Sequence, residues 1–177
     1  ITDDALTPEN SILEQTRELL ECGVKFLQYR TKLEPKNERV ATTLKELCER
    51  YRARFIINDD VKFAAKIGAN AVHIGKEDGG IKAARKILGK DAFIGVSCYD
   101  DLNLALKAQD EGASYAAFGA LFASPTKPHA PLCKFETIRR AKEILRIPVC
   151  VIGGINAANI APIAALNPGY IAVISAL

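Results

Sequence analysis

The stretch RFIINDDVKFAAKIGANAVHIG, residues 54–75, reads as a strand, a helix and a second strand in direct succession. Its ends, RFIIND (54–59) and NAVHIG (70–75), are short apolar runs rich in β-branched residues, each closing on polar groups or glycine. The segment between them is helical in pattern and stops at Gly68, a residue suited to the left-handed backbone that ends a helix. Two strands joined through a helix must run parallel, and such crossovers are right-handed. The unit is βαβ.

The same device recurs on both sides. Further apolar strands are expected at KFLQYR (25–30), AFIGVS (92–97), SYAAFGALF (114–122), PVCVIGG (148–154) and YIAVIS (170–175). Helical segments are expected at 9–22, 38–52 and 101–111, among others, and Gly23, Gly89 and Gly112 repeat the role of Gly68. The opening ITD (1–3) reads as the tail of one more strand, making eight. Eight alternating units favour an α/β fold of the (β/α)8 TIM-barrel type over an open doubly wound sheet. No linker or composition shift interrupts residues 1–177, so one domain is expected; a helix after the last strand would lie beyond Leu177.

Bulk composition narrows the function. The chain is 49% hydrophobic and 25% charged, with a net charge of +3 and only 7% aromatic residues, which gives no nucleic-acid surface. No apolar run is long enough for a membrane span, and the first residues do not resemble a secretory signal. Five scattered cysteines without a C-x-x-C pair suit a reducing cytoplasm; four read as small buried hydrophobes, with Cys98 singled out because it follows a strand end. With only His73 and His129, a metal here would be held by carboxylates, which suits Mg²⁺.

The functional signal is positional, because active sites of (β/α)8 enzymes lie at the carboxyl ends of the strands. There stand Gln28, Arg30 and Lys32; Asn58, Asp59 and Asp60; GKED (75–78); Ser97; Ser124, Thr126 and Lys127; Gly153 and Gly154; and Ser175. Each has a plainer alternative. Gln28, Arg30 and Lys32 share one face by strand alternation, as a solvated edge would. Asn58, Asp59 and Asp78 are also turn formers and helix caps. The paired glycines also suit a tight turn, and His73, Tyr115 and Phe118 read as packed strand residues. Together, however, Asp59 and Asp78 can hold one Mg²⁺ while Arg30, Lys32 and Lys127 surround a diphosphate. The glycines and Ser175 offer a second, backbone-rich phosphate cradle.

These motifs resemble the thiamine-phosphate synthase family: ITD (1–3), QYRTK (28–32), IINDD (56–60), AVHIGKED (71–78), IGVSC (94–98), SPTK (124–127), IGGI (152–155) and AVISAL (172–177), in family order along the whole chain. The resemblance implies that Gln28, Arg30, Lys32, Asn58, Ser97 and Lys127 bind an aminopyrimidine diphosphate, with Arg30, Lys32 and Lys127 catalytic. It implies that Asp59 and Asp78 bind Mg²⁺, and that Ser124, Thr126, Gly154, Ile174 and Ser175 hold a thiazole phosphate. The implied partners are small molecules, not nucleic acid or membrane, and a homo-oligomer is compatible with it. A thiazole tautomerase paralogue would carry a histidine where Ala120 follows Phe118–Gly119, and a non-catalytic thiamine-precursor binding module would not need the leaving-group set.

Overall fold

The computed structural model describes residues 1–123 and 131–176. Its elements alternate as expected: α1 (Ile12–Glu21), β1 (Phe26–Tyr29), α2 (Glu38–Arg50), β2 (Arg54–Asn58), α3 (Val61–Lys66), β3 (Ala71–Ile74), α4 (Gly80–Leu88), β4 (Phe93–Tyr99), α5 (Leu102–Asp110), β5 (Tyr115–Phe118), α6 (Phe135–Ile144), β6 (Val149–Ile152), α7 (Ile160–Ala165) and β7 (Tyr170–Ala172). This βα alternation with parallel registers is that of the (β/α)8 TIM-barrel class. By contact density the chain divides into Ile1–His73 with Ala83–Phe93, and Ile74–Lys82 with Ile94–Leu177.

In the first unit β1 pairs with β2, and β2 with β3, all parallel, with Gln28 opposite Ile56 and Asn58 opposite His73. The strands bury Leu27, Tyr29, Phe55, Ile56, Ile57, Ala71 and Val72, the near-continuous apolar runs that parallel strands covered on both faces require. Helix α2 starts at Asn37, whose side chain accepts the Val40 N–H, and buries Ala41, Leu44, Leu47 and Cys48 along one stripe.

In the second unit β4 pairs with β5, β5 with β6 and β6 with β7, again parallel. Gly95 is obligatory in β4, because a Cβ there would meet the Tyr115 ring at 2.0 Å. Tyr115 and Phe118 are core residues, as expected. The four glycines expected to stop helices all have positive φ, from +66° to +94°.

Three expectations need correction. Residues 1–3 do not form a strand; Thr2 pairs with β1, its N–H donating to the Gln28 carbonyl at 2.9 Å, and seven strands stand among the described residues. The sixth expected strand ends at Phe118 rather than Phe122. The chain then turns across the end of β6, where Leu121 and Phe122 donate to the carbonyls of Ile152 and Gly153. Cys98 lies inside β4 and is fully buried, and burial pushes its thiol up to about 12; the exposed cysteine is Cys22. A buried, protonated thiol is inert.

Candidate active site

At the carboxyl end of β1 the three alternating residues are each engaged by the amino-terminal segment. Thr2 bonds the Gln28 carbonyl through its N–H. Its hydroxyl accepts the Arg30 N–H at 2.8 Å and donates to the Arg30 carbonyl at 3.0 Å. Asp3 Oδ2 lies 3.2 Å from an Arg30 guanidinium nitrogen, and Asp4 Oδ2 accepts the Lys32 N–H at 2.8 Å. Beyond the apolar-to-acidic look of ITD, nothing in the sequence pattern points to these partners. Gln28 itself is 8% exposed, and its amide has no partner among the described residues.

The end of β2 divides the work of the NDD triplet. Asp60 caps α3, accepting the Phe63 N–H at 2.8 Å, and sits 3.1 Å from Lys36 Nζ. Partial burial would raise its pKa; the Phe63 N–H and the Lys36 ammonium outweigh that and hold it below the usual carboxylate range. Asp59 does no capping. Its backbone lies in the left-handed region, φ +63°, and its N–H donates to the His73 carbonyl at 2.8 Å. That conformation is uncommon for a residue with a Cβ. Its carboxylate is exposed by 40% and lies 3.5 Å from Lys32 Nζ. The Asn58 amide, beside it, has no partner among the described residues.

The second unit carries the remaining residues. Asp78 closes its own turn, Oδ2 accepting the Gly75 N–H at 2.6 Å. Ser97 stands in β4 opposite Ala117, where the register with β5 shifts. Gly153 and Gly154 have φ of +107° and +63°. A Cβ on Gly154 would meet the Ala123 carbonyl oxygen at 2.6 Å, so close passage of residues 122–123 is one reason for glycine there. Asn159 donates to the Gly154 carbonyl at 2.9 Å, while the Gly154 N–H has no acceptor among the described residues. Because Ile152 pairs with Ala172, Gly154 and Ile174 stand at equivalent steps beyond two neighbouring strands, with Ser175 next in the chain. Ser124, Thr126 and Lys127 lie outside the described residues.

Asp59 in the first unit and Asp78 in the second are carboxylates that follow strand ends, each with Oδ1 unengaged by any described residue. Among the described residues no group of three or more His, Cys, Asp or Glu side chains could hold an ion without help.

Known proteins share both the sequence and the fold. The family model described as thiamine monophosphate synthase matches residues 1–177. The thiamine-phosphate synthase of Thioalkalivibrio sulfidiphilus is 44% identical over 177 residues, 99% of this chain and 84% of that protein. That of Halorhodospira halophila is 46% identical over 172 residues, 96% of this chain and 82% of the relative. Among solved structures, a thiamine phosphate pyrophosphorylase from Pyrococcus furiosus superposes with a TM-score of 0.87 at 36% identity, covering 98% of this chain and 83% of that one.

Proposed function

The chain belongs to the thiamine monophosphate synthase family, and we propose that it joins 4-amino-5-hydroxymethyl-2-methylpyrimidine diphosphate to hydroxyethylthiazole phosphate, releasing pyrophosphate and thiamine phosphate. The observation that carries this reading is the end of β1 and β2: an anchored Arg30, a Lys32 paired with Asp59, and the amides of Gln28 and Asn58, which meet no partner among the described residues. Fixed cations beside hydrogen-bonding amides suit a ligand that is anionic at one end and heteroaromatic at the other.

In this reading the bond between the pyrimidine methylene and the diphosphate oxygen breaks with cationic character, supported by electron donation from the 4-amino group. Arg30, Lys32 and Lys127 stabilise the charge that grows on the departing diphosphate. Asp59 and Asp78 would hold Mg²⁺, which when bound supplies positive charge to the diphosphate oxygens. The thiazole nitrogen carries its own lone pair and attacks the methylene carbon, so no general base is required. Gln28, Asn58 and Ser97 orient the pyrimidine, while Ser124, Thr126, Gly154, Ile174 and Ser175 hold the thiazole phosphate. Catalysis then rests on placement and electrostatics.

We read residues 1–177 as one domain on the span of the family match. Five free thiols fit a reducing cytoplasm, and no described helix is long and apolar enough to cross a membrane. The test is incubation with both substrates and Mg²⁺ while pyrophosphate and thiamine phosphate are followed together. Equal release of the two is expected; pyrophosphate without thiamine phosphate, or neither, overturns the assignment.

A further inference from the structure

The first residues of the chain do more than flank β1. Thr2 engages both Gln28 and Arg30, Asp3 engages Arg30, and Asp4 engages Lys32. Asp3 is itself fixed on every side: its N–H donates to Thr7 Oγ1 at 2.9 Å, its carbonyl accepts the Thr7 N–H and hydroxyl, and its Oδ1 accepts the Ala5 N–H at 3.1 Å. Only Oδ2 is left for Arg30, and both side chains of that pair are more than four-fifths shielded from water, at 16% and 19% exposure. The contact is made by one guanidinium nitrogen, so other N–H groups of Arg30 remain for a ligand.

We infer that Asp3 is a positioning residue: it fixes the Arg30 guanidinium in the orientation that receives the diphosphate. The inference rests on the proposed role of Arg30 as a diphosphate ligand. An arginine side chain has large rotamer freedom, and ordering it at the moment of binding would oppose capture of the substrate. A carboxylate already locked by a turn removes that cost beforehand, and Thr2 fixes the Arg30 backbone as well. Asp3 touches no reacting atom in this scheme.

Asp3→Asn keeps the size and the acceptor for Ala5 but removes the charge opposite Arg30. Steady-state kinetics should show KM for the pyrimidine diphosphate raised about tenfold and kcat lowered by a similar factor, with KM for the thiazole phosphate changed less than about twofold. Asp3→Glu, which restores the charge, should recover part of the loss. In an Arg30→Lys background, where the planar guanidinium is gone, Asp3→Asn should add almost nothing, because the two act as one unit. A merely structural Asp3 would lower the melting temperature, impair both substrates alike and add fully to Arg30→Lys; that result overturns the inference. If Arg30→Lys alone leaves the pyrimidine diphosphate KM unchanged, the Arg30 assignment fails and the inference with it. If Arg30→Lys is impaired and Asp3→Asn is not, the inference alone fails.

Discussion

Two adjacent aspartates, Asp59 and Asp60, have separate tasks that their identical chemistry conceals. NDD reads equally well as a cap, a turn or a ligand pair, and nothing in the letters says which carboxylate does which. The backbone decides it. Asp60 caps α3 with one carboxylate oxygen and pairs with Lys36 through the other, whereas Asp59 is turned left-handed and keeps its carboxylate facing water and Lys32. Glycine tolerates that backbone freely, although it loses more entropy on folding, so the two effects oppose each other at about 1 kcal/mol each. Asp59→Gly should therefore melt within a few degrees of the parent chain while turnover falls by at least about 10²-fold. Thermal denaturation run beside the coupled assay checks this; a sharp loss of stability together with preserved activity would make Asp59 structural instead. Lys127→Ala should likewise lower kcat by about 10²–10³-fold with a smaller effect on affinity, measured as single-turnover cleavage of the pyrimidine diphosphate.

Helix α3 and the paired glycines put that logic at the level of elements. Removing the Asp60 cap with Asp60→Ala should cost about 1 kcal/mol, or roughly 2–4 °C in melting temperature. Because the folded pKa of Asp60 is depressed, its ionised contribution is complete above the ordinary carboxylate range and fades as pH falls through the folded value. The gap between parent and Asp60→Ala should thus be widest near neutrality and narrow below about pH 4, as melting curves across that range would reveal. For Gly154, an added Cβ would strike the Ala123 carbonyl in an already left-handed backbone. Gly154→Val should weaken thiazole-phosphate binding in calorimetry and largely spare the pyrimidine diphosphate. Equal losses would argue against two phosphate sites. The strands were legible because their apolar runs are bounded by stop glycines. The end of β5 was not, since Gly119–Phe122 is as apolar as the strand before it, and only its bonds to β6 show where pairing ceases. The bracket of Thr2, Asp3 and Asp4 was equally hidden: Thr2 and Arg30 are 28 positions apart, with α1 between them, and only the folded register brings them together.

Across the whole molecule, the divalent ion is expected to come with its ligand. Mg²⁺ alone should leave the melting temperature almost unchanged, whereas Mg²⁺ with pyrophosphate should raise it, and chelation should stop turnover reversibly. A large shift with Mg²⁺ alone, read by scanning fluorimetry, would mean a preformed metal cage that the described carboxylates do not supply. Pairing between consecutive strands has one more consequence, for the life of the chain before it is an enzyme. Within each unit every strand's partner is the next strand along. As the polypeptide leaves the ribosome, each strand can therefore be zipped to its successor almost as soon as that successor emerges. Within each unit, none of these pairings waits for a segment made after the next strand. The longest wait within the second unit falls between β5 and β6, with Ala116 opposite Val149 across the intervening loop and helix α6. Even so, doubling such a closure costs only about 0.6 kcal/mol, so lengthening that loop should slow production of folded protein far less than it disturbs the chemistry.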